Sequence, residues 1–159
     1  NGSIVKALTS MPGMSLVTVQ GAGMIGVPGI AARVFSAVAA TGASVLMISQ
    51  SSSEYNISFV IGKDAASRVT AALRREFAGE LTRGDVSDIW TQDVAVLAAV
   101  GEGMRGTPGV AGRLFTALGR QGINVIAIAQ GSSELNISFV VEEEQRIPAL
   151  RCIHSEFIA

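Results

Sequence analysis

The stretch GAGMIGVPGIAARVFSAVAATGASVLMISQSSSEYNISFV, residues 21–60, decides the fold because the chain carries it twice. Residues 101–140 read GEGMRGTPGVAGRLFTALGRQGINVIAIAQGSSELNISFV, and the two stretches align without a gap, with about 22 of 40 positions identical. The same register extends to Glu76 and Phe77, which align with Glu156 and Phe157. Chance does not produce such a match, so the sequence predicts two copies of one supersecondary unit.

The first copy alternates strand-like and helical segments. Residues 16–20 are β-prone and end in a glycine-rich loop. A helix is predicted to begin near Pro28 and to end at Gly42, with apolar residues on one face between them. Residues 44–49 and 55–61 are strand-like and are joined by a polar turn. This copy therefore begins strand, helix, strand, strand.

A second helix and a fourth strand complete the predicted unit. Asp64 is expected to cap the helix, and residues 86–90 supply the strand, in which Trp90 is a sheet or interface residue. The order β-α-β-β-α-β is that of the split ferredoxin-like fold. The predicted class is α+β, with antiparallel sheets and helices on one face.

The second copy lacks its last strand, because the chain stops at Ala159 just after the final helix. Residues 3–8 are strand-like and have no partner in the first copy, so we expect them to cross over and complete the second sheet. The predicted units are residues 14–92, and residues 3–9 together with 93–159. Pro148 is tolerated in a helix only near its start, so the last helix is expected to begin between Arg146 and Pro148.

Composition excludes several classes of function. The net charge is −1, from 12 Lys and Arg against 13 Asp and Glu, so nucleic acid and anionic membranes are not expected as partners. No signal peptide or membrane span is recognisable, which indicates a cytoplasmic protein, and the start at Asn1 indicates a fragment or a processed product. Cys152 and the single His154 provide neither a metal site nor a catalytic arrangement, and no catalytic residues are predicted.

Both loops after the first strand of each copy match the pattern G-x-G-x-x-G, which is typical of dinucleotide sites. No acidic residue ends the following strand, and each unit is too small for a doubly wound sheet, so nucleotide binding is disfavoured. Two readings stay open: turns with a purely structural role, or backbone amides at a helix N-terminus that bind the α-carboxylate of an amino acid. The glycines concerned are Gly21, Gly23 and Gly26 in the first copy, and Gly101, Gly103 and Gly106 in the second.

A second shared segment is Gln-x-Ser-Ser-Glu, at residues 50–54 and 130–134. It is either a solvated hairpin turn or part of a ligand site, in which the amide of Gln50 offers a donor and an acceptor to a small zwitterion. Arg33 and Arg113 recur at equivalent helical positions and are interpreted as exposed or ion-paired.

Three motifs carry a resemblance to a known family: MIGVPG at residues 24–29, ISQSSSEYNISF at 48–59, and IAIAQGSSE at 126–134. With these motifs the chain resembles the tandem ACT domains of aspartate kinases, and especially those of the threonine-sensitive enzymes fused to homoserine dehydrogenase. Kinase and dehydrogenase motifs are absent, so the resemblance implies a regulatory fragment without a cofactor. ATP and Mg are expected only in the absent kinase domain.

The resemblance also implies feedback inhibition by an amino acid of the aspartate pathway, bound where ACT units of a homodimer or higher oligomer meet. Leu46 stands where relatives that sense lysine can carry an acidic residue, which favours threonine over lysine. Alternative interpretations are a nucleotide-binding oxidoreductase fragment and a module for oligomerisation alone. The expected effector contacts are Met24, Val27, Gly29, Ile30, Leu46, Gln50, Ser53 and Glu54 in the first copy, and Asn124, Ile126 and Gln130 in the second.

Overall fold

The structure is a computed structural model that describes residues 4–24, 26–50, 56–101, 108–130 and 136–158, with Gln50 and Gln130 described by their backbone. The chain divides into two compact units. The first unit is Met14–Asp93, and the second unit is Asn1–Gly13 together with Val94–Ala159.

Strands β1 and β4 each contribute residues to both units, and the other elements belong to one unit each. The strands are β1 Ala7–Gln20, β2 Met47–Gln50, β3 Asn56–Gly62, β4 Asp88–Val100, β5 Ala127–Gln130 and β6 Asn136–Glu142. The helices are α1 Ile30–Ala40, α2 Ala66–Glu76, α3 Ala78–Arg83, α4 Val110–Arg120 and α5 Arg146–Phe157.

Each unit contains an antiparallel sheet with the same pairing. In the first unit β3 lies between β2 and β1, and its register with β1 runs from Met14 opposite Gly62 to Gln20 opposite Asn56. In the second unit β6 lies between β5 and β4 in the equivalent register. The two units are therefore alike in strand pairing as well as in sequence.

The fourth strand position of each sheet is filled from a different part of the chain. In the first unit the N–H of Ser87 donates to the carbonyl of Gln20 at 2.7 Å. In the second unit the N–H of Lys6 donates to the carbonyl of Val100 at 2.8 Å. Val86 and Val5, next to these donors, are both buried. The segment around Lys6 thus takes in the second unit the place that the segment around Ser87 takes in the first.

Each unit has its own hydrophobic core between the sheet and its helices. Alternate strand residues such as Val17, Val19 and Phe59 face α1 and α2, because successive side chains of a strand point to opposite faces. The equivalent core of the second unit contains Leu97 and Phe139. The helices therefore lie on one face of each sheet, as the α+β ferredoxin-like prediction requires.

The structure differs from the predicted elements in several places. Residues 16–20 were predicted as a short strand, whereas they are the end of the 14-residue strand β1, which begins at Ala7. The predicted cap by Asp64 is wrong, because residues 63–65 form a 3-10 turn and α2 begins without a hydrogen bond from a capping side chain. Helix α3 was not predicted, whereas Pro148 is the third residue of α5, within the expected first turn.

Within the described ranges, no helix combines the length and the apolarity that crossing a membrane requires.

Candidate functional site

Gly21 follows β1, and the segment that fills the fourth strand position of the first unit passes too close to it for any side chain. A Cβ atom on Gly21 would lie 2.2 Å from the carbonyl oxygen of Asp85, and one on Gly23 would lie 2.5 Å from the Cα of Asp85. In the second unit a Cβ atom on Gly101 would lie 2.1 Å from the carbonyl oxygen of Ile4. These glycines allow close backbone approach, which is a structural explanation for part of the G-x-G-x-x-G pattern. Gly103 and Gly106 lie outside the described residues.

The rest of the first loop leads into the N-terminus of α1. Gly26 and Gly29 have φ angles of 67° and 85°, in the left-handed region that favours glycine. Gly29 directly precedes α1 and provides no side-chain acceptor for the first amides of the helix. Because such amides lack partners within the helix, they are suited to binding an anion. Gly109 precedes α4 in the same conformation, with φ of 81°.

A pocket of about 280 Å³ lies beside this helix N-terminus. Four of the residues predicted to contact an effector are in its wall: Met24 and Ile30 are buried, Gly29 is exposed, and Val27 is 46% exposed. The full lining is Met24, Gly26, Val27, Gly29, Ile30, Ala31 and Ile57. The volume lies just below the usual range for ligand sites, about 300 to 1,000 Å³, so it suits a small molecule.

Leu46 lies just before β2 and Gln50 ends this strand; Leu46 is not part of the pocket lining. Leu46 precedes β2, donates its N–H to the carbonyl of Val60 at 2.8 Å, and is 47% exposed. Gln50 ends β2 opposite Ile57, which is part of the pocket wall. The register therefore brings the backbone of Gln50 next to the pocket. The predicted contacts Ser53 and Glu54 lie outside the described residues.

The corresponding residues of the second unit occupy equivalent strand positions. The N–H of Ile126 donates to the carbonyl of Val140 at 2.7 Å, as Leu46 does in the first unit. Gln130 ends β5 opposite Ile137, and Asn124 is exposed before that strand. Residues 102–107, which align with most of the first loop, are outside the described part of the chain.

Sequence reasoning did not assign two residues of the pocket wall, Ala31 and Ile57, to the site, whereas Gly26 was among the loop glycines considered for carboxylate binding. Ala31 follows Ile30 in the first turn of α1, so its place in the wall could have been inferred from the predicted helix start. Ile57 is recognisable only from the hairpin register, which places it opposite Gln50. A pairing register depends on turn geometry that the residues of this turn do not specify.

Arg33 on α1 forms ion pairs with α2 and α3, so the prediction that this arginine is ion-paired is confirmed. Its Nε lies 2.9 Å from Oε1 of Glu76, and its Nη1 lies 2.7 Å from Oε2 of Glu80. Its guanidinium also lies 4.5 Å from the ring centroid of Phe77. These contacts hold α1, which bears part of the pocket wall, against α2 and α3.

Arg113 makes the corresponding contacts in the second unit. Its Nε lies 2.7 Å from Oε1 of Glu156, and its guanidinium lies 4.5 Å from the ring centroid of Phe157. Glu76 and Phe77 align with Glu156 and Phe157 because each pair contacts the equivalent arginine of its own unit. Of Arg33 and Arg113, only Arg33 has a second carboxylate partner among the described residues.

The Arg33 contacts predict a pH dependence of stability. The hydrogen bond from Arg33 lowers the pKa of Glu80 below its ordinary value of 4.5, and it raises the pKa of Arg33. A carboxyl group with a lowered folded-state pKa stabilises the fold above its unfolded-state pKa, and this contribution is lost as the pH falls through the folded-state value. Arg33→Gln is therefore expected to lower Tm at pH 7, and the difference from the parent chain should shrink below about pH 4.5 as Glu80 becomes protonated.

Thermal unfolding followed by circular dichroism between pH 3 and pH 8 measures this effect. Arg113→Gln is the matched control, because it removes the equivalent contact to Glu156 without a Glu80 counterpart. A Tm difference for Arg33→Gln that persists unchanged into the acidic range would contradict the assignment to Glu80.

Metal-ligating and nucleophilic residues do not gather near the pocket. In the portion of the chain that the structure describes, no three His, Cys, Asp or Glu side chains are placed to hold a metal ion. Cys152 lies on α5 of the second unit, where burial raises the pKa of its thiol. The residues of the pocket wall are apolar side chains and backbone groups, so the arrangement is suited to binding and offers no acid, base or nucleophile.

Comparison with known proteins shows the family to which the chain belongs. The family model described as ACT domain matches residues 17–77 and 97–157. The chain is 46% identical over 154 residues to bifunctional aspartokinase/homoserine dehydrogenase 1, chloroplastic, of Arabidopsis thaliana, covering 96% of this chain and 17% of that protein. It is 42% identical over 151 residues to the bifunctional enzyme of Haemophilus influenzae, covering 94% and 18%. The chain thus spans less than a fifth of the length of these relatives.

Among solved structures, the ligand-free regulatory subunit of aspartate kinase from Thermus thermophilus is similar along nearly its whole length. The TM-score is 0.79 and the sequence identity 29%, covering 97% of this chain and 99% of that one. Aspartate kinase from Synechocystis matches with a TM-score of 0.82 and 29% identity, covering 99% of this chain and 27% of that one. The chain therefore belongs to the ACT domain family, as a tandem pair of units that matches the regulatory parts of aspartate kinases.

Proposed function

We propose that this chain is the amino-acid-sensing regulatory part of an aspartate kinase, and that its effector is threonine. The observation that carries the proposal is the pocket of about 280 Å³ at the N-terminus of α1, beside the end of β2. Free helix amides, apolar walls and a nearby polar strand end are the elements that recognise a small zwitterion.

Each part of threonine has a complementary group. The α-carboxylate is suited to the amides that follow Gly29, where the helix dipole adds favourable electrostatics. The ammonium and hydroxyl groups are assigned to Gln50, whose amide offers both a donor and an acceptor. The methyl group is assigned to the apolar wall formed by Met24, Val27 and Ile30.

The composition of the wall favours threonine over lysine. Lysine would bring a second ammonium group, and burying it without a carboxylate or other acceptor is costly. The seven lining residues that the structure describes include no acidic side chain, and Leu46 stands where relatives that sense lysine can carry an acidic residue. Lysine is therefore the second candidate, to be compared directly with threonine.

The regulatory step follows from differential binding of the effector to two states of a larger protein. Coupling between such a site and a distant active site is typically about 1 to 3 kcal/mol, which changes affinity by about 5-fold to 150-fold. We assign ATP and Mg to a kinase domain outside this chain. Subunit association is assigned to the β2 edge, where Leu46 and Ile48 are 47% and 55% exposed.

Isothermal titration calorimetry of the chain with threonine, lysine, methionine and isoleucine tests the proposal. We expect threonine to bind more tightly than the other three, with Gln50→Ala weakening binding by about tenfold through the loss of one polar contact. Gln130→Ala is the matched change in the second unit and reports whether that unit also binds. Absence of heat from every amino acid would contradict the proposal, and in that case binding of NAD or ATP would favour the nucleotide alternative.

A module for oligomerisation alone predicts a different result. It requires tight self-association, measured by analytical ultracentrifugation, that no amino acid changes. An effect of threonine on either the association constant or Tm would exclude that alternative.

A further inference from the structure

An open groove lies between α4 and α5 of the second unit, on the side of the helices away from the sheet. Its volume is about 490 Å³, larger than the pocket beside α1. The side chains that matter for its chemistry are Arg120, Gln121, Arg151, Cys152, Ser155 and Glu156. None of these residues is used by the proposed amino-acid site.

Two arginines of this groove have no anionic partner. Neither Arg120 nor Arg151 forms an ion pair or a side-chain hydrogen bond with any residue in the described ranges. Other arginines are engaged: Arg113 binds Glu156 and Arg146 donates to Ser10. Because Glu156 is already neutralised by Arg113, the carboxylate in the groove does not compensate the two free guanidinium groups.

The first unit provides an internal comparison, since its residues align with an offset of 80. Arg120 and Arg151 correspond to Ala40 and Ala71, whereas Arg75 of the first unit corresponds to Ser155, so the two units arrange their cations differently. Pro148 corresponds to Arg68, whose Nε donates to the carbonyl of Thr41 at 3.1 Å and thereby spans α2 and α1. In the second unit a proline stands at that position, and the space between the helices lies open beside two unpaired arginines.

We propose that this groove binds a small metabolite carrying phosphate or carboxylate groups. Planar guanidinium groups form paired hydrogen bonds with both kinds of oxyanion, and two of them in one groove suit a ligand with two anionic groups or one phosphate. The amide of Gln121 and the hydroxyl of Ser155 add donors on the same walls. A volume near 490 Å³ falls within the range of small-molecule sites.

The only cysteine of the chain lies in the groove and serves as a reporter. The test measures alkylation of Cys152 by iodoacetate, which is anionic, and by iodoacetamide, which is neutral. The reference is Cys152 in the Arg120→Ala, Arg151→Ala variant, because Ala72, the equivalent position of the first unit, lies between Arg68 and Arg75 on α2. We expect the iodoacetate to iodoacetamide rate ratio to be about threefold higher in the parent chain than in this variant, since the two guanidinium groups attract the anionic reagent.

Ligand binding is then measured as protection of Cys152. Inorganic phosphate and succinate are titrated at constant ionic strength, with chloride as the balancing anion. We expect saturable protection of Cys152 by at least one of them, about tenfold weaker in the Arg120→Ala, Arg151→Ala variant. Protection by phosphate alone identifies a phosphorylated ligand, and protection by succinate alone identifies a carboxylate.

Two results would overturn the proposal. One is an equal reagent ratio in the parent chain and in the Arg120→Ala, Arg151→Ala variant, which would show that the arginines place no excess positive potential in the groove. The other is a raised ratio without saturable protection by either anion, which would show a local field and no binding site. Both arginines are exposed, so their replacement leaves the core intact, and unchanged Tm of the variant confirms that the comparison is between folded proteins.

Discussion

Replacement of Gly101 by alanine is expected to destabilise the second unit by about 3 kcal/mol. The added Cβ would lie 2.1 Å from the carbonyl oxygen of Ile4 and 3.0 Å from the backbone nitrogen of Lys6. Since both contacts are with backbone, a side-chain rotation cannot relieve them. The segment that completes the sheet would have to move away, and its hydrogen bond from Lys6 to Val100 would be lost.

Urea unfolding followed by circular dichroism measures the loss, and Gly119→Ala provides the control. Gly119 lies within α4 with nothing within 4 Å of its added Cβ, so alanine there should be neutral or stabilising by up to about 1 kcal/mol. If Gly101→Ala unfolds at the same urea concentration as the parent chain, the segment around Ile4 does not cross Gly101 as described.

The Ala31→Trp variant is expected to lose threonine binding by about a hundredfold or more, which corresponds to about 2.7 kcal/mol. Ala31 is exposed on the first turn of α1 and lines the pocket of about 280 Å³, so an indole at this position would fill the space assigned to the effector. The substitution changes no core residue, and we expect the variant to fold with nearly unchanged Tm.

Ala32→Trp is the matched control for the effector pocket. Ala32 is the next residue of the same helix, is also exposed, and is not part of the pocket wall. Calorimetry with threonine should give the parent affinity for Ala32→Trp and little heat for Ala31→Trp. Equal affinities of the two variants would place the effector outside this pocket.

Four of the effector contacts that the family resemblance implied line one pocket because they lie in one short segment of the chain. Met24, Val27, Gly29 and Ile30 follow one another through a glycine loop into a helix, and a loop followed by a helix start is readable from nearby residues. The resemblance also implied Leu46, which is exposed just before β2 and is not part of the pocket lining. Strand side chains depend on long-range register, which local patterns do not specify.

Element boundaries were less predictable than element types. Residues 16–20 indicated a short strand, yet β1 begins at Ala7 and includes Gly13, and its ladder with β3 begins at Met14. Asp64 indicated a helix cap, but the chain makes a 3-10 turn before α2. In both places, pairing and packing with distant residues override the local preference.

The sequence by itself determined the duplication, the β-α-β-β-α-β order and the absence of a recognisable catalytic motif, because these depend on periodicity and residue type. The tertiary structure decided why Gly21 and Gly101 are glycines, since a backbone carbonyl of a distant segment lies where a Cβ would be. It also decided the difference between the copies. Arg33 and Arg113 are both ion-paired, whereas Arg120 and Arg151 have no partner among the described residues. Whether an arginine forms an ion pair depends on distances between helices that are far apart in the sequence. Arginines of the same chain can therefore be ion-paired at one position and unpaired at another.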